Sequence, residues 1–396
     1  MNDYNGLRAV VVGGSIGGLT AALLLRDLGF TVEIYERSAR PLSGRGSGIV
    51  LQPDTARWFT ERSSHSLTDL RTSTRYVQYL NRGRGVDHRE KRHHDYTAWG
   101  TFYRALLADF GSQHYHLGKQ ACGFSQSERA VTVRFDSGGS VTADLAVFAD
   151  GISSTARRQF DPDAAVHYSG YVGWRGTHPW TALSDSTRET LDDAITFDVP
   201  RNSHVTMYPI PGEDGISPKH RLMNYVWYRN VDNDHQLAAL LLDTHGRSSP
   251  VSVPPGLVQQ RHIDELKHAA AEELSPGVAE VIVATKHPYL QVVSDVRSKR
   301  MAQGRVALIG DAAAAARPHA AAGTAKAAAD AWALANALGD AGGDVAAALE
   351  KWEPAQLDLS ASLTRRAIAM GQRFQVSNTA TPGDPSLRFG LYGPGH

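Results

Sequence analysis

The chain of 396 residues contains a single cysteine, Cys122, so no internal disulfide can form. A lone cysteine suits a reducing cytoplasm, and Cys122 is expected as a buried structural thiol. Net charge is lacking too. Lys plus Arg number 41 and Asp plus Glu number 41, so no global field favours nucleic acid or an anionic membrane surface. No apolar run approaches the roughly 20 residues of a membrane span, and the first residues lack the pattern of a secretory signal. No internal repeat is found. The one dense charged run, His88-Arg-Glu-Lys-Arg-His-His-Asp95, mixes signs and reads as a solvated loop rather than a metal or phosphate site. These absences point to a cytoplasmic chain with no nucleic-acid, membrane or metal partner. Its length allows a large core and two intimately joined domains.

What is present begins at the seventh residue. A strand, Leu7 to Val12, ending in the β-branched run Val10–Val12, closes in Gly13-Gly-Ser-Ile-Gly-Gly18, and a helix is expected from about Ile16 to Leu28 with Gly29 as its stop. A second strand, Thr31 to Tyr35, ends in Glu36. Strand, glycine turn and helix start form a socket for a dinucleotide pyrophosphate, because unpaired helix N–H groups and the helix dipole both favour an anion there. Glu36 lies 23 residues after Gly13, near the roughly 20-residue offset at which an acid reaches a ribose hydroxyl. Ser15 stands where a glycine is usual; it is small enough to let the backbone approach and can donate to a phosphate oxygen.

Further on, Tyr76–Leu80 alternates like a strand, and Thr101–Phe110 has helical spacing with Phe102, Leu106 and Phe110 on one face. Ala130–Phe135 and Val141–Phe148 read as a hairpin across Asp136-Ser-Gly-Gly139. From about 160 to 290, aromatic strand-like segments (Tyr171–Gly176, Val205–Ile210, Leu222–Tyr228) are separated by Pro/Gly loops, which suggests a mostly antiparallel sheet. The Ala-rich run from Ala320 to Leu338 is good helix former. Two later turns repeat a strand-then-acid pattern: Val147-Phe-Ala-Asp-Gly151 and Val306-Ala-Leu-Ile-Gly-Asp311. Each sets a carboxylate at the rim of an α/β sheet, where ligands bind; for Asp150, capping of the next helix is a fair competitor. The helix beginning near Gly323 could direct its positive end at an electron-rich ring.

Three such turns in this order resemble the FAD-dependent aromatic hydroxylases, the single-component (class A) flavoprotein monooxygenases. The resemblance spans nearly the whole chain. Strings such as Tyr35-Glu-Arg-Ser38, Pro41-Leu-Ser-Gly44, Trp174-Arg-Gly176, Tyr208-Pro-Ile-Pro-Gly212, Arg317-Pro-His-Ala-Ala-Ala-Gly323 and Phe389-Gly-Leu391 are similar to the pyridinol-hydroxylase branch. It implies an α/β fold: a Rossmann-like FAD-binding domain of the p-hydroxybenzoate-hydroxylase and glutathione-reductase type, a mostly antiparallel substrate domain and a helical C-terminus. The expected bounds are 1–70, 96–160 and 290–345 for FAD, 71–95 and 161–289 for substrate, and 346–396 for the helical end.

By the same resemblance, Gly13, Ser15, Gly17 and Gly18 hold the pyrophosphate and Glu36 the adenosine ribose. Arg37 and Arg104 lie along the adenosine and phosphates, Gly310 and Asp311 meet the ribityl chain, and Gly323 and Thr324 open the flavin-facing helix. Asp150 belongs to a turn that serves FAD and NADH or NADPH. The implied reaction hydroxylates an electron-rich ring, a hydroxypyridine or related N-heterocycle, with NAD(P)H and O2 through a flavin C4a-hydroperoxide. A phenolic or larger biosynthetic aromatic is the alternative. His319 is the candidate base, while Gln52, Arg175, Tyr208, Tyr225 and Trp227 are candidates for the substrate pocket. The family's usual histidine after Gly310-Asp-Ala-Ala is missing, since alanines stand there. A homodimer is an allowed assembly. A flavin-free dehydrogenase has no use for the 310–323 region, a disulfide reductase would need a cysteine pair, and a halogenase would need a Trp-x-Trp-x-Ile-Pro string. A non-catalytic flavin-binding protein would carry flavin yet show no substrate-stimulated NAD(P)H oxidation.

Overall fold

Small-residue turns follow β-branched runs through the chain, and each such pair becomes a strand-to-helix step. In the computed structural model, which describes residues 4–396 apart from 43–46, 82, 84, 214 and 232–233, β1 (Arg8–Val12) passes through the glycine turn into α1 (Ile16–Asp27) and returns as β2 (Thr31–Tyr35). The end of the string Pro41-Leu-Ser-Gly44 lies outside the described residues. The first half continues with β3 (Gly48–Leu51), α2 (Pro53–Glu61), β4 (Thr72–Asn81), β5 (Gly85–Ala98), α3 (Trp99–Phe110), β6 (Tyr115–His116), β7 (Ala121–Gln126), β8 (Val131–Phe135), β9 (Ser140–Ala143), β10 (Leu145–Phe148) and α4 (Thr155–Phe160). Next come β11 (His167–Pro179), α5 (Asp185–Leu191), β12 (Ala194–Asp198), β13 (Ser203–Ile210), β14 (Leu222–Asn230), α6 (Asp234–Leu240), β15 (Ser252–Val253), α7 (Gln260–Glu273) and α8 (Pro276–Ala284). The last part holds β16 (Tyr289–Arg297), β17 (Ala302–Gln303), β18 (Val306–Leu308), β19 (Ala314–Ala315), α9 (Gly323–Asp340) and α10 (Val345–Gln375).

One sheet has the order β17-β18-β10-β1-β2-β6, parallel from β18 to β6. The ends of β1, β10 and β18 bring the 13–18, 149–151 and 310–311 turns to one rim. A second sheet, β15-β16-β11-β14-β13-β12-β4-β5-β3, is antiparallel except between β12 and β4. The fold is therefore the α/β architecture expected, a Rossmann-like unit joined to a mostly antiparallel sheet. No helix among the described residues is long and apolar enough to cross a membrane.

Several local expectations are corrected. The run at 88–95 is not a loop but the middle of β5, whose residues alternate between exposed and half-buried; strand pairing with β4 carries its charges into solvent on one face. Cys122 is exposed, its Sγ 3.4 Å from the Arg134 carbonyl oxygen. The hairpin across Asp136–Gly139 closes as β8–β9, but the second strand breaks at Asp144, and its apolar half, β10, joins β1 in parallel. Strand pairing places 48–51 and 96–98 with the antiparallel sheet, as it does most of 289–297. The C-terminal region is helical only to Gln375, apart from a short turn at Pro385–Leu387.

The Ala-rich helix α9 does more than propagate well. A Cβ on Gly17 or on Gly310 would lie 2.9 Å from the Ala327 Cβ, so the glycine turn, the 310 turn and α9 meet at van der Waals contact that larger residues would break. Behind this junction Lys326 and Asp330 form a buried ion pair at 2.6 Å, and both hold the 310 turn: Lys326 Nζ donates to the Gly310 carbonyl at 3.2 Å, and Gly310 N donates to Asp330 Oδ2 at 2.8 Å. Burial raises the Asp330 pKa and the Lys326 ammonium opposes that rise. Removing the cation alone strands a buried carboxylate, at a cost of about 3–5 kcal/mol. Lys326→Met is therefore expected to shift the chemical denaturation midpoint sharply downward. An unchanged midpoint would mean that Asp330 is already protonated in the native protein.

Candidate active site

A cavity of about 470 Å³ runs between the two sheets. Of the residues expected to bind cofactor, Ser15, Gly17, Gly18, Gly310, Asp311, Gly323 and Thr324 line it, and of those expected to meet substrate, Arg175, Tyr208 and His319 do so. The structure thus brings three turns distant in sequence to one space.

The rim is chemically prepared for anionic and polar groups. Gly13 has φ +100°, and a Cβ there would lie 2.4 Å from the Ala149 carbonyl oxygen; only glycine keeps the turn this close to the next one. The turn is fastened by Glu36, whose carboxylate oxygens accept from Gly14 N and Ser38 N, both at 2.9 Å, and by Tyr115, whose hydroxyl donates to the Gly14 carbonyl at 2.9 Å. The first turn of α1 has no acidic residue and Ser15 makes no side-chain cap, so N–H groups remain open toward the cavity. The start of α9 is uncapped in the same way, and a Cβ on Gly323 would meet nothing within 4 Å. Asp150 caps α4 through Oδ2, which accepts from Thr155 N at 2.7 Å, while its buried Oδ1 has no partner. Loss of solvent raises the carboxyl pKa of Asp150 and of Asp311. Arg37 and Arg104 are exposed and, with Glu36, lie outside the cavity lining. Open N–H groups, close-packed glycines and an orphaned carboxylate oxygen fit a dinucleotide flavin. The α1 turn would hold its pyrophosphate, Asp311 its sugar-like chain, and Gly323 and Thr324 its ring end.

The facing wall is one side of the antiparallel sheet. Register pairs His204 with Tyr228, Thr206 with Val226 and Tyr208 with Asn224, and Tyr228 and Val226 in turn with Gly173 and Arg175. Side chains alternate along a strand, so these residues share a face. Tyr225 and Trp227 lie on the opposite face, in the core under α7 and α8. They are therefore corrected from pocket residues to packing residues; Trp227 Nε1 donates to Ser203 Oγ at 2.6 Å. Gln52 is corrected as well. It is buried, and its amide nitrogen donates to the Ala321 carbonyl at 2.7 Å, bracing a residue with φ +51°. His204, Tyr228, Phe374 and Phe389 line the cavity without having been singled out. Counting back by twos from Tyr208 would have found His204. Leu387 and Phe389 come from the tail, where Arg366 donates to the Arg388 and Gly390 carbonyls and Gly390 N donates to the Ala320 carbonyl at 3.1 Å.

Two buried histidines stand on this wall. Tyr171 Oη lies 2.6 Å from His319 Nε2, and the rings of His204 and His319 are 5.2 Å apart. Burial lowers the His319 pKa to about 3 and that of His204 well below its ordinary value. His319 is thus a neutral, occupied imidazole rather than a base titrating near neutrality. In the unfolded chain both titrate near pH 6.5, so below that pH the unfolded state binds more protons. Stability should fall as pH drops from about 6.5 toward 4, by up to ~1.4 kcal/mol per pH unit for each histidine. His319→Gln should flatten that slope in denaturation series taken at several pH values.

Models of three families match the chain: an NAD(P)-binding Rossmann-like domain over residues 11–82, an FAD binding domain-like family over 168–295 and an FAD binding domain over 247–369. The 2,6-dihydroxypyridine 3-monooxygenase of Paenarthrobacter nicotinovorans is 36% identical over 97% of this chain and 96% of its own length. The solved 2,6-dihydroxypyridine-3-hydroxylase from Arthrobacter nicotinovorans superposes with a TM-score of 0.91 at 34% identity, covering 97% and 96% of the two chains. The Klebsiella pneumoniae HpxO complexed with FAD and uric acid, 22% identical with a TM-score of 0.75 over 97% and 91%, shares the fold. A full-length relative at this identity, laid over a cavity with a dinucleotide socket on one side and an aromatic wall on the other, settles the family: the chain belongs to the FAD-dependent, NAD(P)H-using aromatic monooxygenases.

Proposed function

We propose that the substrate is a small N-heterocycle carrying ring hydroxyls, a hydroxypyridine, and that the enzyme works in the cytoplasm, which an exposed free thiol at Cys122 suits. The observation that carries the substrate reading is Arg175. Its side chain lines the cavity, its Nε has no hydrogen-bond partner, and no carboxylate among the described residues pairs with it. A guanidinium cannot shed its charge, so a half-buried one facing a cavity without a counter-ion is matched to an anion brought by the ligand.

The chemistry follows from that charge. Arg175 favours the deprotonated form of a ring hydroxyl, and the oxyanion pushes electron density onto the ring carbons ortho and para to it. The sheet face, with Tyr208 and Tyr228 beside Arg175, supplies an aromatic wall against which a flat ring packs. Bound FAD supplies the redox chemistry, accepting hydride from NAD(P)H and activating O2. The protein's part is to orient an electron-rich ring and exclude water around it. A phenol carrying the same anionic oxygen is the second reading, since Arg175 recognises the charge and not the ring nitrogen.

The test is a panel of hydroxypyridines and phenols scored for stimulated NAD(P)H oxidation and for products heavier by one oxygen. At least one hydroxypyridine should yield such a product; if phenols alone do so, the second reading holds. Arg175→Met should weaken binding of the active compound about 10- to 100-fold, with flavin content unchanged. A variant that binds it as tightly as the parent would remove Arg175 from recognition.

A further inference from the structure

His319 was the imidazole expected to meet the ring, yet both of its nitrogens are spoken for or shut away: Nε2 lies against the Tyr171 hydroxyl, and Nδ1 is closed off with no partner. The other imidazole is placed differently. His204 is stacked between Tyr228 and Phe374, with ring centroids 4.6 and 4.2 Å away and interplanar angles of 27° and 22°. Its plane is thereby fixed. Gln375 Nε2 lies 2.8 Å from His204 Nδ1. An amide nitrogen donates and cannot accept, so with the Gln375 amide in this orientation Nδ1 is the bare nitrogen, and a neutral ring carries its proton on Nε2. No described residue takes a hydrogen bond from that Nε2–H, and His204 lines the cavity. Burial keeps the imidazole neutral, which preserves this single tautomer.

His204 and Arg175 lie on the same sheet face, two strands apart and offset by two residues through Tyr228 and Gly173. Strand spacing and rise put their Cα positions roughly 12 Å apart, the span of one substituted six-membered ring. Tyr228 and Val226, from the strand between them, cover the floor and lean over Gly173, so a ring reaching both His204 and Arg175 packs on those two side chains.

We infer that His204 donates its Nε2–H to an acceptor on the substrate ring, an oxygen or a pyridine-type nitrogen, on the side away from Arg175, and that Gln375 is the positioning residue that fixes the donor tautomer. This rests on the reading of the cavity as the ring site. The pair then selects rings with an anionic oxygen at one edge and a lone pair at the other. That pattern distinguishes a dioxygenated N-heterocycle from a simple phenol.

The experiment uses the FAD-loaded enzyme and the best hydroxypyridine of the panel, with dissociation constants read from the flavin absorbance change. His204→Phe keeps the stacking and removes the donor; it should weaken binding about 3- to 10-fold. His204→Gln, which restores an N–H, should recover part of the loss. An analogue lacking the second acceptor should bind parent and His204→Phe alike. NMR of isotope-labelled histidine in the unaltered holoenzyme gives a second readout that needs no substitution. The His204 Nε2 signal should be protonated and should move on ligand addition, and Gln375→Leu should abolish the single-tautomer signature. Equal binding by His204→Phe and the parent, a proton on Nδ1, or an Nε2 signal indifferent to ligand would each overturn the assignment. If the unaltered enzyme binds no hydroxypyridine or phenol, the substrate reading itself fails, a result distinct from all of these.

Discussion

Everything in this molecule that bears on a cofactor depends on one steric meeting point, the methyl group of Ala327. Gly17 from the first turn and Gly310 from the third both press against it at a distance that tolerates no side chain. Because the two turns end strands that are neighbours or near-neighbours in one parallel sheet, fixing them against α9 fixes the sheet rim and the two helix N-termini as a single body. A dispersion contact of this kind is individually weak. Its value here is geometric, since it removes the slack that would let either anion-seeking helix end drift from the cavity. The buried Lys326–Asp330 pair secures the same junction from behind by holding both polar groups of Gly310.

The opposite wall obeys a different rule. A strand presents alternate residues to its two faces, and the antiparallel pairing across β11, β14 and β13 lines up His204, Thr206 and Tyr208 with Tyr228, Val226 and Asn224. The result is a flat aromatic surface carrying the Arg175 cation and the His204 imidazole, facing a rim built for negative charge. Polarity is thus sorted by architecture: backbone N–H groups on the helical side, side-chain functions on the sheet side.

The dinucleotide half was legible in the sequence because its signal is local. Gly13, Gly17 and Asp311 fall in turns whose spacing follows from the strand–turn–helix geometry itself, whereas Glu36, outside the cavity lining, gives its carboxylate oxygens to the Gly14 and Ser38 N–H groups. The substrate half was only partly legible, for reasons visible at particular residues. Tyr225 and Trp227 attract notice by size, but parity puts them on the far face, and parity is fixed by register with a strand fifty residues away. Gln52 looks like a pocket residue until the 320–321 carbonyls, remote in sequence, arrive to accept its amide. His319 carried the right chemistry at the right turn, and only the fold shows that Tyr171 already holds it. The charged run at 88–95 misled for a related reason: its alternation becomes visible only once β4 lies beside it.

One consequence concerns how the wall is closed. Leu387 and Phe389 reach the cavity only because Arg366 grips the carbonyls around them. The turns and helix starts of the dinucleotide socket all lie between residues 13 and 324, so the tail is a separate closure. With the grip of Arg366 lost, the aromatic face becomes a trough open to water while the socket keeps every strand it is built on, and flavin retention is thereby uncoupled from the dryness of the chamber.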